Sequence, residues 1–274
     1  RRHVVVALSG DGGDEAFGGY ERYLATPLMQ RLNPLLTTLD AVAKAASRSA
    51  EKRNQRKLSR ILREFRGRDS LMDRYRSIMT MTPAETRRGI WTHEALRQIN
   101  LLAPEQDFND IWIESDRQST LWRMQYQDVR TYLPGDLLVK TDIASMSASL
   151  EVRSPFLDQE VLDLAASIPP RQLIHGTQTK WVLRQIAGEL LPPALMQRRK
   201  QGFGVPIAKW LRGPLKEIAF DTLLEANSQS RHWFRARGME SILKRHMAGE
   251  DLHKEIWSLL MLVMWSNRWL KTKT

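Results

Sequence analysis

Three carboxylates and three glycines stand together near the start of the chain, in the run Ser9-Gly-Asp-Gly-Gly-Asp-Glu15. Glycines let backbone N–H groups approach a ligand closely, and a helix that follows such a turn points its positive end at it. Carboxylates there would repel a bare phosphate, but they suit Mg²⁺, which commonly takes one or two carboxylates plus phosphate oxygens. The run alone predicts either a magnesium–nucleotide site or an acidic turn in which Asp14 caps a helix.

A second group of candidate residues is cationic and lies far along the chain. Lys180 precedes an amphipathic stretch, and Arg198-Arg-Lys200 runs into the glycine-containing segment Gln-Gly-Phe-Gly204. A flexible glycine loop beside clustered cations is typical of a lid that closes over phosphates, although an ordinary basic surface loop has the same composition. Taken alone, these residues leave both interpretations open.

Charged side chains also stand close together among apolar ones between residues 133 and 158, namely at Lys140, Asp142, Glu151, Arg153 and Asp158. Charges in such a setting are usually paired, because burying one alone is costly. We expect Glu151 and Arg153 to form a pair that serves the architecture and not the chemistry.

Other kinds of site are excluded or made improbable by composition. The 274 residues contain no cysteine, which removes disulfides, thiolate nucleophiles and iron–sulfur clusters, and a cytoplasmic location is the default expectation. The six histidines follow no metal-ligand spacing, and no G-x-S-x-G elbow is present. Hydrolase and zinc-enzyme chemistry are therefore not indicated.

The sequence before and after the glycine turn predicts the elements that position it. The β-branched run His3 to Leu8 predicts a fully buried parallel strand, so that strand, glycine turn and helix follow one another as in an α/β nucleotide site. Almost nothing later resembles a strand. Because a lone parallel strand cannot satisfy its backbone groups, its neighbours must come from missing sequence, another chain or weak strands that the pattern does not reveal.

Helical patterns dominate from Tyr23 onward, and several have defined ends. The predicted features are a capping box at Thr82-Pro-Ala-Glu85, a loop over 101–108, helices over 111–132, 136–150 and 181–191, a break at Leu133-Pro-Gly135, a helix capped by Asp158, a loop over 202–206 and a core helix over 256–265. The 256–265 run is too short to span a bilayer, which needs ~20 apolar residues, and we predict no membrane anchor.

The formal net charge of +11 is concentrated in the run Lys52 to Arg68. A solvated amphipathic helix with an apolar stripe explains this run, and no nucleic-acid-binding motif accompanies it. A basic nucleic-acid-binding or scaffold module is the alternative from a different functional class. It predicts binding to polyanions that weakens steeply with salt.

Four segments, taken in this order, resemble the synthetase domain of glutamine-dependent asparagine synthetases, a family of ATP-pyrophosphatase type. They are LSGDGGDEAFGGYERY at 8–23, LPGDLLVKTDIASMSASLEVRSPFLD at 133–158, TKWVLR at 179–184 and RRKQGFGVP at 198–206. The resemblance implies an α/β fold of the adenine-nucleotide α-hydrolase-like type, truncated here. Residues 1–23 would supply a remnant parallel strand and the nucleotide turn, and residues 24–274 a mostly helical body.

The resemblance also implies a reaction and roles for individual residues. Aspartate would be activated by ATP with Mg²⁺, pyrophosphate would leave, and ammonia from a glutaminase domain would attack the acyl-adenylate. Ser9 and Gly10 correspond to nucleotide contacts, Asp11 to a residue that positions substrate or takes a proton from ammonia, and Asp14 to the magnesium carboxylate. Lys180 and Lys200 correspond to cations near the phosphates, with Lys200 on the mobile loop as the charge stabiliser.

The sequence departs from the family pattern in ways that limit these expectations. Asp11 stands where relatives often carry Glu, and Ile143 where they frequently carry Arg. The Ser-Gly-Gly-x-Asp-Ser pyrophosphate loop and the N-terminal cysteine of the glutaminase domain are absent, so we expect a C-terminal fragment that is inactive alone. Amidation or lactam formation on another carboxylate stays open, as does a homodimer.

Overall fold

The computed structural model describes residues 3–28, 70–101, 105–116, 118–196, 204–225 and 229–270. Its first elements are β1 (Val6–Leu8), α1 (Gly13–Ala16), α2 (21–28), α3 (Leu71–Met79), α4 (Ala84–Ile90), α5 (His93–Leu101), α6 (Gln106–Glu114) and α7 (Thr120–Arg130). A π-helix (Leu133–Leu138), α8 (Val139–Ser147) and β2 (Glu151–Arg153) follow.

The remaining elements are all helical. They are a 3₁₀ turn (Pro155–Leu157), α9 (Gln159–Ser167), α10 (Pro170–Leu173), α11 (Trp181–Leu190), α12 (Pro193–Met196), α13 (Ile207–Arg212), α14 (Lys216–Leu224), a 3₁₀ turn (Gln229–His232), α15 (Ala236–Met247) and α16 (His253–Trp269). None of the helices in the described ranges is long and apolar enough to cross a membrane.

The described residues form two compact units. The first contains residues 3–28, 70–75 and 105–196, and the second contains residues 76–101, 204–225 and 229–270. The described residues are mostly helical, as predicted, and they contain a two-stranded sheet where a single strand was predicted. The basic run 52–68 lies outside the described residues.

The sheet in the first unit has two parallel strands, with Val6 paired to Glu151 and Leu8 to Arg153. Strand β2 is three residues long, so it gave too little pattern to be recognised in the sequence. The expectation of a fully buried β1 is wrong for this structure, because Val5 is 59% and Leu8 73% exposed. With β2 as the one partner found in the described residues, the strand keeps an open edge and exposed apolar faces.

The segment after α7 differs from the predicted helix break. Leu133-Pro-Gly135 begins a π-helical turn that continues into α8, and Gly135 N–H donates to the Thr131 carbonyl at 2.9 Å. The wider π turn accommodates Pro134, which has no N–H to donate. The predicted helix over 111–132 is instead divided into α6 and α7, because Ser115 ends α6 and Ser119 caps α7 by accepting from Trp122 N–H.

The predicted helix ends agree with the structure in most places. Asp158 caps α9 by accepting from Glu160 N–H at 2.9 Å, and the helix predicted over 181–191 is α11. Helix α4 begins one residue later than predicted, and its N-cap, Pro83, makes no side-chain capping bond. The loop predicted over 101–108 is wrong at its end, where α6 begins at Gln106.

The second unit is organised by an apolar core. Its central helix, α16, buries Ile256, Leu259, Leu260 and Val263, which confirms the predicted core helix. Side chains from α13, α14 and α15 complete the cluster, among them Leu211, Leu223 and Leu243. Burial of this apolar surface, at about 25 cal/mol per Å², is the main source of stability in the unit.

Candidate functional site

Ser9 is the first residue beyond β1, and it is tied to the end of β2 by two contacts. Its N–H donates to the Arg153 carbonyl at 2.8 Å, and its hydroxyl lies 2.9 Å from Ser154 Oγ. The Ser9 hydroxyl also donates to Asp11 Oδ2 at 3.0 Å. Three polar side chains therefore meet at the carboxyl ends of two parallel strands, the edge at which α/β sheets bind ligands.

The turn after Ser9 is shaped by glycine. Gly12 has φ +86°, and a Cβ atom there would overlap the Leu157 side chain. Helix α1 follows, with Ala16 N–H donating to the Gly12 carbonyl at 2.8 Å. Because α1 is a single turn, its helix dipole is small, and anion binding at this point depends on individual backbone N–H groups.

Asp14 and Lys180 form an ion pair across the turn, with 3.1 Å between Lys180 Nζ and Asp14 Oδ1. Both side chains are about a third exposed or less, at 27% and 31%. Gly19 packs directly against the pair, and a Cβ atom at Gly19 would overlap both side chains. An ion pair with this exposure contributes little to stability.

Helix α7 holds the turn from behind. The Gln125 Nε2 amide donates to the carbonyls of Glu15 and Ala16, at 2.8 Å in each case. These carbonyls belong to the end of α1, where the intrahelical partners run out. A one-turn helix is unstable alone, so this side chain fixes both the helix and the turn before it.

Glu15 is a fully buried carboxylic acid directly beside Asp14 in sequence. Tyr20 donates its hydroxyl to Glu15 Oε1 in a short hydrogen bond. Burial raises the pKa of Glu15, and the Tyr20 hydrogen bond opposes part of that rise. Burial and the neighbouring Glu15 also raise the pKa of Tyr20, so the phenol keeps its proton.

A buried ion pair continues this network into α7. Arg22 Nη2 lies 2.7 Å from Asp128 Oδ2, and Asp128 is fully buried. The Tyr23 hydroxyl donates to the same oxygen at 2.5 Å, and the Arg22 guanidinium lies 3.6 Å from the centre of the Tyr20 ring. Burial is the largest influence and lowers the pKa of Arg22, but Asp128, Tyr75 and Tyr23 together outweigh it and the net change is upward.

The structure brings together five of the six residues that the sequence nominated. Ser9, Gly10, Asp11 and Asp14 lie along one turn, and Lys180 reaches it from the residue before α11. Lys200 and the rest of the predicted lid up to residue 203 lie outside the described residues, so closure of Lys200 upon Asp14 stays a prediction. Gly204 to Pro206 have no regular secondary structure, in agreement with the predicted loop.

The Asp14 carboxylate is suited to a cation that is shared with phosphate. The Lys180 ammonium beside Asp14 Oδ1 shows that a positive charge can be held at this oxygen. Among the described residues, no group of three or more His, Cys, Asp or Glu side chains could enclose a metal ion. The residues therefore fit Mg²⁺ bound through one carboxylate and phosphate oxygens, and not a metal cage made of protein alone.

The predicted pair Glu151 and Arg153 exists, with 2.7 Å between Arg153 Nε and Glu151 Oε1, but it is exposed. The expectation of a paired charge set among buried positions is therefore wrong here. An exposed pair of this kind stabilises a protein by about 0–1 kcal/mol. Ile143, at the position noted as a departure from the family pattern, is 65% exposed.

Sequence reasoning missed the residues that support the turn. Ser154, Gln125 and Asp128 are more than 100 residues away from the residues that they contact. Glu15 and Tyr20 were within the nominated segment, and the buried position of Glu15 could not be read from its type. One signal was available, since Tyr20, Arg22 and Tyr23 follow the turn so closely that an aromatic and cationic cluster could have been proposed.

Known proteins are similar to this chain over nearly its whole length. The model of the asparagine synthase family matches residues 1–267. The glutamine-hydrolysing asparagine synthetase 1 of Bacillus subtilis (strain 168) is 32% identical over 97% of this chain. A putative glutamine-hydrolysing asparagine synthetase of Mycobacterium bovis is 34% identical, also over 97% of this chain.

More distant similarity reaches a protein with a different name. Amidase chry2 of Gibberella zeae is 21% identical over 83% of the chain and 36% of its own length. No solved structure matches the chain significantly. The chain spans about 40% of the length of the two curated synthetases above. Since the family model covers nearly every residue, the chain belongs to the asparagine synthase family.

Proposed function

We propose that this chain forms part of an enzyme that makes asparagine from aspartate, ATP and ammonia derived from glutamine. The side-chain carboxylate of aspartate attacks the α-phosphate of ATP, and pyrophosphate leaves. Ammonia then attacks the acyl carbon of the aspartyl-adenylate, which gives asparagine and AMP and releases one proton. The observation that carries this proposal is the Asp14–Lys180 pair beside a glycine turn at the ends of two parallel strands.

The pair suits phosphate chemistry because it presents one carboxylate and one ammonium side by side. Asp14 would hold Mg²⁺ against the phosphates, and Lys180 would donate to a phosphate oxygen. When bound, Mg²⁺ supplies positive charge that stabilises the negative charge developing on the phosphates. Lys200 would add a second cation, by analogy with the family pattern in its segment.

Ser9 itself has little left to offer a nucleotide as a donor. Its N–H and its hydroxyl hydrogen are already donated, to the Arg153 carbonyl and to Asp11. We therefore assign the nucleotide contact at this point to the backbone of Gly10, which is exposed. This refines the role that the family resemblance gives to Ser9.

Asp11 is the carboxylate for the second half-reaction. Its side chain is half-buried at the sheet edge, where it accepts the Ser9 hydroxyl hydrogen. A carboxylate there can take the proton that ammonia must lose after it attacks the acyl carbon. The shorter side chain, compared with Glu, would place this oxygen nearer to the turn.

The open edge of β1 leaves room for the sheet to be extended by further strands. We propose that further parallel strands, supplied by polypeptide outside the 274 residues, complete a sheet of the adenine-nucleotide α-hydrolase-like type. Exposed Val4, Val5 and Leu8 would then be covered. A cytoplasmic location, where ATP and aspartate are available, goes with this activity.

The test is ATP–pyrophosphate exchange by the full-length protein, meaning the longest natural polypeptide that contains these residues. Labelled pyrophosphate should enter ATP when Mg²⁺ and aspartate are present, and asparagine should form when glutamine or ammonium is added. Exchange supported by a different carboxylate, and not by aspartate, would assign the same chemistry to another substrate. Absence of exchange with any carboxylate would contradict the proposal.

A further inference from the structure

The hydroxyl of Ser9 has a fixed direction of hydrogen bonding. It has one hydrogen, which it donates to Asp11 Oδ2, and the two oxygens lie 3.0 Å apart. Ser154 Oγ lies 2.9 Å from Ser9 Oγ. Because the Ser9 hydrogen is already used, Ser154 must be the donor in this second contact.

The remaining lone pair of Ser9 Oγ is also occupied. Asp11 N–H donates to it in a long bond of 3.4 Å. The hydroxyl therefore has its one donor and both acceptor positions in use, and all its partners are protein groups. Rotation of the Ser9 side chain would break several contacts at once, which locks its orientation.

From this geometry we propose that Ser154 is a positioning residue for Asp11. The hydrogen bonds run in one direction, from Ser154 to Ser9 and from Ser9 to Asp11. Ser154 holds the Ser9 hydroxyl so that its hydrogen is aimed at the carboxylate, and the carboxylate is thereby held at the sheet edge. The inference rests on the proposed function for the role of Asp11, but the hydrogen-bond chain itself does not.

Ser154 is well placed to act in this way because its own backbone is fixed. It follows β2 directly, and its carbonyl accepts from Leu157 N–H at 2.9 Å at the start of the 3₁₀ turn. The preceding residue, Arg153, binds Ser9 N–H. The Arg153 carbonyl and the Ser154 side chain therefore anchor Ser9 at two points.

The kinetic test compares Ser154→Ala with Ser154→Thr in the full-length protein. Removing the hydroxyl should lower kcat for asparagine formation about fivefold, the usual effect of losing one neutral hydrogen bond, with KM for ATP unchanged within about twofold. Thr keeps a hydroxyl at the same carbon, so Ser154→Thr should restore kcat. Ser147→Ala is the matched control, since the exposed Ser147 hydroxyl donates to the Ala144 carbonyl in its own helix, away from Ser9 and Asp11 in the hydrogen bonds of the described residues.

Two kinetic results would overturn the inference. One is an unchanged kcat in Ser154→Ala, including the case in which only KM for ATP rises, because that pattern indicates a lost binding contact. The other is a Ser154→Thr variant as impaired as Ser154→Ala. Equal thermal midpoints of all variants exclude a loss of folding as the cause.

Crystal structures can test this inference independently of the proposed function. Crystal structures of Ser154→Ala and Ser154→Thr should show the Ser9 hydroxyl turned away from Asp11 in the first and retained in the second. If the unaltered protein forms no asparagine, the proposed function fails. The orientation of Ser9 in these crystals still decides the positioning claim, and an unmoved Ser9 in Ser154→Ala overturns it.

Discussion

The first unit buries charged and hydrogen-bonding side chains around the glycine turn, whereas the second unit buries a continuous apolar cluster. In the first unit Glu15, Gln125 and Asp128 are almost inaccessible to solvent, and each contacts the turn or the segment that follows it. In the second unit Leu243, Ile256 and Leu260 lie at the centre of the core. Both units bury apolar side chains, and the second also buries His246, Glu255 and Ser266. What distinguishes the first unit is that its buried polar side chains lie around the candidate site.

This difference has a physical reason. A buried ion pair contributes little net stability, since removing the charges from water costs about as much as their attraction returns. It does, however, fix geometry, because either partner is very unfavourable if left alone. The Arg22–Asp128 pair and the Gln125 amide hold the turn in one position. Apolar packing provides stability but is less directional.

The largest effect should follow from breaking the buried pair in the first unit. Asp128→Asn leaves the Arg22 charge without its counter-ion, and we expect the free energy of unfolding to fall by about 3–4 kcal/mol. Urea denaturation of the full-length protein measures this. The matched control is Asp116→Asn, since Asp116 pairs with Arg123 but is 74% exposed, and its change should stay within about 0.5 kcal/mol. Equal losses of unfolding free energy in Asp128→Asn and Asp116→Asn would contradict the expected difference between a buried and an exposed ion pair.

A cavity in the second unit should have a slightly smaller effect and leave the site intact. Leu260→Ala removes a side chain that is 2% exposed, and a loss of about 3 kcal/mol in unfolding free energy is expected. Met261→Ala, at a neighbouring position that is 39% exposed, should cost far less. The same denaturation experiment compares them. A loss for Met261→Ala equal to that for Leu260→Ala would show that α16 is not packed as described.

The smallest effect concerns a buried histidine in the second unit. His246 Nδ1 accepts from Leu252 N–H at 3.2 Å, and its Nε2 lies 3.3 Å from the Ala208 carbonyl, so the ring is held neutral with its hydrogen on Nε2. Burial and the nearby Arg212 lower the pKa of His246 below its usual value of 6.5. Below about pH 6.5, His246 therefore takes up a proton in the unfolded chain more readily than in the folded protein.

The free energy of unfolding should therefore fall as the pH decreases from 7 to 5, by at most about 1.4 kcal/mol per pH unit. His246→Gln should remove this part of the slope when unfolding is measured across the range. An unchanged slope in His246→Gln would contradict the assignment.

Sequence patterns predicted local features of the fold better than distant ones. The start of α9 follows from the capping chemistry of Asp158. The core helix α16 follows from apolar spacing within a few residues. Strand β2 and the π-helix at Leu133 do not, because a three-residue strand has no period and a π turn depends on surrounding packing. The residue types near Leu133 therefore suggested a helix break at a point where the helical structure continues.

The same distinction applies to the site. The turn from Ser9 to Glu15 was nominated from its own composition, and Lys180 from its place in the family pattern. The structure brings Asp14 and Lys180 together in an ion pair, and their roles toward magnesium and phosphate stay predictions. The supporting contacts of Gln125, Asp128 and Ser154 arise only from the folded chain, since no local pattern encodes a contact across more than 100 residues.

We propose that Asp14 holds Mg²⁺ against the phosphates of ATP at the glycine turn. The most direct measurement is ATP–pyrophosphate exchange by Asp14→Asn in the full-length protein, as a function of Mg²⁺ concentration and beside Asp163→Asn, a change at an exposed carboxylate of α9. We expect a fall of about 100-fold or more for Asp14→Asn, with a higher Mg²⁺ requirement, and an unchanged rate for Asp163→Asn. Exchange by Asp14→Asn at the unaltered rate and Mg²⁺ dependence would contradict it.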